Sequence, residues 1–189
     1  MRIIGIDPGY AILGYGIVDS APNKYSLVEC GVLTTDKDAP MPERLKRVYS
    51  LLMDVIAEFA PDTASVEELY FNSNAKTAIK VGEARGAAIL ACANSGLPVY
   101  EYTPLQIKQA LAGYGRADKR QMQEIVRRVC GLKDVPKPDD AADAVAAAIC
   151  HGNSAAYITS INNSVKKTVA LRNRKSRQEA LESGKEAEV

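Results

Sequence analysis

Short apolar runs separated by turn-forming residues dominate the first third of the chain. Runs around residues 2–8, 14–19 and 26–34 are each closed by glycine, proline or charged residues, which is the pattern of β-strands. Because short connections join them, we expect an antiparallel meander. The first run ends in Asp7-Pro8-Gly9, so it places a carboxylate inside or at the end of a strand.

After residue 39 the apolar spacing becomes helical. Six positions form one stripe that predicts a helix ending near residue 59: Leu45, Val48, Leu52, Val55, Ile56 and Phe59. A strand over 63–70, a long helix over about 74–94 and a strand over 97–102 follow. Three further helices are predicted over about 104–112, 118–130 and 139–151. This order predicts an α/β fold, a five-stranded mixed sheet with helices on both faces.

Composition narrows the classes of function. The 189 residues include 24 basic and 23 acidic ones, so any nucleic-acid surface must be a local patch. The single histidine, His151, and four cysteines without C-x-x-C spacing give poor support to a histidine-based triad or a zinc site. Without a leader or long apolar span, we expect a cytoplasmic protein with free thiols and no membrane contact.

The chain predicts one domain over 1–152 and a C-terminal extension over 153–189. Beyond Gly152 the composition shifts, and from Arg172 to Val189 it is charged and nearly free of large apolar residues. Segments of this kind cannot bury enough apolar surface to fold, so we expect the end of the extension to be mobile.

Carboxylates recur where the predicted elements end. Asp7 ends the first strand, and Glu67 or Glu68 ends the fourth. Asp140 and Asp143 are three residues apart, so they share one face of the last helix. An acid in a turn or at a helix start also has an ordinary structural role. Asp143, however, lies further in among alanines, which would let this helix approach the sheet.

Four carboxylates without histidine favour a hard cation such as Mg²⁺ or Mn²⁺. Two such ions about 3.5–4 Å apart can activate water and stabilise the leaving oxygen of a phosphodiester. The pattern alone therefore predicts metal-dependent phosphodiester chemistry, and it leaves open whether Glu67 or Glu68 takes part.

An ordered set of motifs resembles one family. The set is Ile4 to Gly9 with Gly14-Tyr15-Gly16, then Val66 to Tyr70, Glu83 to Gly86, and Asp140 to Ala144. Over roughly residues 1–152 the chain is similar to the RuvC family of crossover-junction endonucleases. The resemblance implies a ribonuclease-H-like fold and a homodimer. It implies resolution of Holliday junctions in DNA recombination and repair, by paired symmetric nicks that leave ligatable 5′-phosphate and 3′-hydroxyl ends.

The resemblance also implies roles for individual residues. The catalytic and metal-binding acids would be Asp7, Glu67, Asp140 and Asp143, holding two Mg²⁺ ions for which Mn²⁺ can substitute. An aromatic residue acts at the crossover, and Tyr70 and Phe71 are both candidates. Lys108 and Lys119 match the functional lysines of the family, and the RuvA–RuvB branch-migration complex would be a partner.

Local charge supports a DNA surface around these lysines. Residues 103–130 hold six basic and two acidic side chains, and Arg116 and Arg120 belong to this patch. Lys76 and Lys80 add a basic edge at the start of the helix over 74–94. The small and apolar residues of that helix, with Gly82 and Gly86 four apart, predict the dimer interface.

Two other classes of protein fit parts of the pattern. An actin-like or sugar-kinase-like ATPase also begins with a strand and an Asp-x-Gly turn, but it needs two such lobes and a longer chain. A non-catalytic junction-binding protein would need no acidic cluster, whereas all four acids of the family pattern occur in this sequence.

Overall fold

The structure, a computed structural model, describes residues 1–22, 24–69 and 75–155, apart from the side chains of residues 75 and 76. Its strands are β1 Arg2–Asp7, β2 Ile12–Ala21, β3 Lys24–Thr34, β4 Thr63–Glu67 and β5 Val99–Tyr102. Its helices are α1 Met41–Phe59, α2 Ala75–Asn94, α3 Pro104–Ala112 and α4 Lys119–Val129. A further helix, α5, covers residues 139–155.

The five strands form one mixed sheet in the order β3-β2-β1-β4-β5. β1, β2 and β3 pair antiparallel, which confirms the predicted meander, while β4 pairs parallel with both β1 and β5. The fourth strand ends at Glu67 rather than near residue 70. The fifth begins at Val99, because Pro98 has no N–H and contributes only its carbonyl to the ladder.

Helices cover both faces of the sheet, as predicted. Ile4 and Ile6 of β1 pack with α1 and α2 in one apolar cluster. Ile3 lies in the other cluster, with Ile107 of α3, Met122 of α4 and apolar residues of α5. Alternate residues of a strand point to opposite faces, so β1 divides its side chains between two cores. Asp7 is an even number of residues from Ile3, so its side chain points to the same face of the sheet, the face that α5 covers.

α5 lies against the sheet because two glycines of the sheet leave room for its backbone. A Cβ on Gly5 would overlap the carbonyl oxygen of Ala144 and lie 2.8 Å from the Ala148 nitrogen. A Cβ on Gly14 would overlap the carbonyl oxygen of Asp140 in the same way. The predicted close approach of the alanine-rich helix is therefore confirmed, and it depends on glycines in β1 and β2 as much as on the alanines.

The predicted end of the last helix, at residue 151, is wrong: α5 continues through residue 155. Gly152 lies inside the helix, and the ring of Tyr25 packs so close to it that an added Cβ would lie 2.5 Å from a ring carbon. His151 is buried, hydrogen-bonds to Tyr102 with 2.8 Å between Oη and Nδ1, and stacks on Tyr100. It is a core residue and not a helix-terminal one.

The chain forms a compact unit over Met1–Asn153 and a second unit over Ser154–Val189. Apart from residues 154 and 155, the second unit lies outside the described residues, so the predicted character of the extension stays a prediction. All four cysteines are free, as expected. Within the described ranges, no helix combines the length and apolar character needed to cross a bilayer.

Candidate active site

Asp7 and Glu67 end two adjacent parallel strands in the middle of the sheet. The pairing of β1 with β4 places Ile6 opposite Val66, so each carboxylate is the next residue beyond the last paired position. Thr63 and Ser65 point to the same face of β4 as Glu67. Thr63 contacts His151 of α5, and Ser65 donates a hydrogen bond to the Ala147 carbonyl of α5. Glu67 therefore lies on the α5 side of the sheet with Asp7, whereas Glu68, the next residue, is an odd number of positions from these residues.

The first turns of α5 bring the other two acids to this side. The Gly14 contact brings the backbone of Asp140 against β2, and Asp143 follows on the next turn. The charges of Asp143 and Asp140 both raise the pKa of Asp7, so the three carboxylates act on one another through space. The acids that the sequence predicted as a set therefore converge beside the ends of β1 and β4.

Burial and mutual repulsion raise the pKa values of the two strand carboxyls into the neutral range. Burial is the main cause that raises the pKa of Asp7 to about 7, and Asp143 and Asp140 add to it. Burial, followed by the charges of Asp7 and Asp143, raises the pKa of Glu67 to about 8. Burial also raises the pKa of Asp143, although Lys119 opposes that shift. Such a cluster is destabilised at neutral pH unless positive charge compensates it.

Two lysines supply part of that positive charge. Lys108 and Lys119 both lower the pKa of Glu67, against the larger effect of its burial. The two lysines line a cleft of about 200 Å³ together with Glu67, Asp143 and the apolar side chains of Ile107 and Met122. The cleft thus has acids and lysines on an apolar wall, an arrangement suited to a phosphate next to a cation.

Lys119 lies between two acids of α5. Its Nζ is 3.4 Å from Asp143 Oδ2 and 3.2 Å from Asp139 Oδ2. Asp139 precedes Asp143 by four residues, so the two acids lie on the same side of the helix and share this lysine.

The donor set fits a hard cation, since every acid offers oxygen and the strand carboxyls need compensating charge. As placed, the side chains do not form a ready metal cage: the described residues contain no group of three acidic, histidine or cysteine side chains close enough to hold an ion. The fit of these residues to a metal ion therefore rests on the chemistry of the donors and on electrostatics. In this structure the Lys119 ammonium lies against one of the acids, Asp143.

Comparison with known proteins places this arrangement in a family. Residues 3–151 match the family described as Crossover junction endodeoxyribonuclease RuvC. A protein of that name from Finegoldia magna is 56% identical over 151 residues, which cover 80% of this chain and 92% of the relative. The chain belongs to the RuvC family.

Solved structures of RuvC agree with the fold. The structure of Thermus thermophilus RuvC superposes with a TM-score of 0.78 at 39% identity, covering 83% of this chain and 96% of that one. The T. thermophilus RuvC in complex with Holliday junction substrate gives 0.77 at 37% identity, with the same coverage. The predicted ribonuclease-H-like fold and the predicted class of enzyme, a DNA-cleaving junction resolvase, are confirmed. Membership in the RuvC family also carries a requirement for a divalent metal ion.

Seven of the eight predicted DNA-contacting residues of this RuvC homologue fall into three groups. Lys108 and Lys119 line the cleft. Arg116 and Arg120 are exposed near the start of α4, outside the residues that line it. Tyr70, Phe71 and the side chain of Lys76 lie outside the described residues, so their placement stays a prediction.

Lys80 belongs to a small cluster that sequence reasoning missed. Its Nζ lies 5.6 Å from the centre of the Tyr10 ring, and the Arg44 guanidinium lies 4.7 Å from the same centre. Arg44 is only 7% exposed and donates to the Tyr10 carbonyl at 3.0 Å and to Thr35 Oγ1 at 2.9 Å. Arg44 thereby anchors the turn that follows Asp7. A charged residue in the first turn of an amphipathic helix gave no sign of this role.

Proposed function

We propose that this RuvC homologue cleaves four-way junction DNA through Asp7, Glu67, Asp140 and Asp143, which would hold two Mg²⁺ ions, with Mn²⁺ able to substitute. The observation that carries the proposal is the convergence of these acids on one side of the sheet, with the raised pKa values of Asp7 and Glu67. The bound ions would activate water and stabilise the leaving oxygen, giving 5′-phosphate and 3′-hydroxyl ends.

The protein side chains around the acids would bind and orient the DNA strand. Lys108 and Lys119 line the same cleft as Glu67 and Asp143, so they are placed to contact a phosphate as it enters. Ile107 and Met122 supply an apolar wall that limits water around the reacting phosphate. Arg116, Arg120, Lys76 and Lys80 would extend the phosphate contacts beyond the cleft, and Tyr70 or Phe71 would stack at the crossover.

A cleavage assay with matched variants tests the role of the acids. A synthetic four-way junction and a duplex of the same sequence are incubated with the protein in Mg²⁺ and in EDTA. We expect cleavage of the junction in Mg²⁺ alone. Asp7→Asn and Glu67→Gln should lose at least about 10³-fold in rate while they still bind the junction. Glu68→Gln is the matched control, and loss of cleavage in that variant with activity kept in Glu67→Gln would contradict the assignment.

We propose further that two chains form a two-fold homodimer through α2. Ile79 and Leu90 are 64% and 53% exposed on this helix. A Cβ on Gly82 or Gly86 would meet nothing within 4 Å, so these glycines do not pack against the sheet of their own chain. The four residues recur at helical spacing and form an apolar stripe with a shallow centre, which a second copy could cover.

A dimer would supply the two cuts that resolution of a junction requires, because the described part of one chain holds one set of these acids. Leu90→Glu should yield a monomer in sedimentation equilibrium at micromolar concentration and should reduce paired nicking. Val129→Glu, at another exposed apolar position, is the control and should remain dimeric. A Leu90→Glu variant that stays dimeric and makes paired nicks would exclude α2 as the interface.

Two parts of the proposal rest on family membership alone. The RuvA–RuvB branch-migration complex would deliver the junction, and the cytoplasm would be the compartment. Co-sedimentation of the protein with RuvA, RuvB and junction DNA tests the first, and fractionation of cells tests the second.

A further inference from the structure

One ammonium group of this protein bridges an acid of the candidate site and an acid beside it. Lys119 contacts Asp143 and Asp139 at 3.4 and 3.2 Å. Asp139 also accepts a hydrogen bond from Gln123 Nε2 at 2.9 Å. Because Gln123 and Lys119 are one turn apart on α4, Asp139 is tied to α4 at two points. This contact set involves an acid that no part of the proposed chemistry uses.

The two acids differ in what competes for them. Asp143 lies in the cleft and is proposed to bind a metal ion, whereas Asp139 is 58% exposed at its side chain and outside the cleft lining. Asp139 is also held by the Gln123 amide at 2.9 Å, so it stays within reach of the lysine. When a cation takes Asp143, the Lys119 ammonium keeps a partner within its present reach.

We propose that Asp139 is a positioning residue: it holds Lys119 at the mouth of the cleft when a divalent cation takes Asp143, and so weakens the competition of the lysine for that acid. The proposal rests on the proposed function, because it takes Asp143 as a metal ligand. Without Asp139, Asp143 is the acidic partner that the described contacts leave to Lys119. A cation that binds Asp143 must then displace the lysine, which has no second acid to move to among those contacts.

The expected effect is modest and measurable. Exposed ion pairs contribute about 0.2–1 kcal/mol, which corresponds to a change of about 1.5- to fivefold in metal affinity. Removing any nearby negative charge also weakens cation binding through the general field. The two effects separate in a background without Lys119, because only the positioning effect requires the lysine.

The experiment is a double-mutant cycle read by Mn²⁺ binding to the DNA-free protein, with the free Mn²⁺ followed by electron paramagnetic resonance. The variants are Asp139→Asn, Lys119→Met and the double variant, with Asp134→Asn as a control for loss of an exposed charge. We expect Asp139→Asn to weaken binding about threefold when Lys119 is present, and less than about 1.5-fold in the Lys119→Met background. Circular dichroism checks that α5 stays folded.

Two results would overturn the proposal. Equal weakening in both backgrounds would mean that Asp139 acts only through its charge, and no weakening in either would mean that it only favours the start of α5. The Asp7→Asn variant separates this failure from failure of the proposed function. If that variant binds Mn²⁺ as the wild type does, the acids are not the metal site and the proposed function fails; if it loses binding, a negative cycle refutes the role of Asp139 alone.

Discussion

Asp7→Asn should stabilise the metal-free fold while it removes cleavage. The pKa of Asp7 is raised from 3.8 to about 7, mainly by burial and then by Asp143 and Asp140. The folded protein therefore holds a proton on this carboxyl that the unfolded chain releases near pH 4. Stability is present in full below pH 4 and is lost as the pH rises through 7. Asparagine keeps the shape of the side chain and does not titrate, so the variant avoids this loss.

The magnitude follows from the pKa difference. Each pKa unit corresponds to about 1.4 kcal/mol, so the difference between 3.8 and about 7 sets an upper bound of about 4 kcal/mol. The value of about 7 already includes the opposing effect of Lys119, and solvent around this partly exposed side chain screens its charge further. We therefore expect Asp7→Asn to gain about 1–2 kcal/mol at pH 8 and close to nothing at pH 4.5.

Urea unfolding followed by circular dichroism measures the difference, in EDTA and at both pH values. Asp134→Asn, an exposed acid outside the cluster, is the control and should change stability by less than about 0.5 kcal/mol at either pH. Addition of Mg²⁺ should stabilise the wild type and not Asp7→Asn. An Asp7→Asn variant that is no more stable than the wild type at pH 8 would refute the claim that burial and neighbouring charges make the ionised Asp7 destabilise the fold.

Three further predictions follow from the same contacts. Gly5→Ala should lose more than about 2 kcal/mol of stability and most junction cleavage, because the added methyl overlaps the Ala144 carbonyl and forces α5 from the sheet; an unchanged urea midpoint would contradict this. Arg44→Met should cost about 2 kcal/mol and lower the cleavage rate more than junction binding, because it frees the turn after Asp7; equal losses in rate and binding would argue against a positioning role. Calorimetric Mg²⁺ affinity should rise between about pH 6 and 8.5, as Asp7 and Glu67 lose protons with pKa values of about 7 and 8, and a flat profile would contradict these values.

Much of the fold could be predicted because apolar spacing decides it. The three-stranded meander, the helical stripe of α1 and the alternation of strand and helix that follows are set by periodicity, and the structure reproduces their order. Element ends were less predictable. Pro98 shortens β5 through its missing N–H, and α5 runs past Gly152, where the ring of Tyr25 packs closely against the glycine. Such ends depend on tertiary contacts that spacing alone does not encode.

The acids of the candidate site could be predicted from the sequence, whereas the residues that contact and position them could not. The spacing of Asp140 and Asp143 indicated a shared face, but strand alternation could not decide between Glu67 and Glu68, because both faces of β4 are buried. The structure decides between them. Thr63 and Ser65 point to the same face of β4 as Glu67, and both contact α5.

The partners of Asp139 lie in α4, sixteen and twenty residues earlier in the chain, and no local pattern links them. The same holds for the Arg44 anchor, which joins α1 to a turn more than thirty residues away. Contacts between distant segments of this kind become visible only once the chain is folded.

The most direct test of the central claim is a crystal structure of the protein with a four-way junction and Mn²⁺, with the scissile phosphates replaced by a non-cleavable analogue. Anomalous scattering locates the ions without assumption about their ligands. We predict two peaks per chain about 3.5–4 Å apart, bound by Asp7, Glu67, Asp140 and Asp143, with the Lys119 ammonium on Asp139 and a DNA phosphate. Peaks that lie away from Asp7 and Glu67, or Lys119 still paired with Asp143 in the DNA-bound state, would contradict the account.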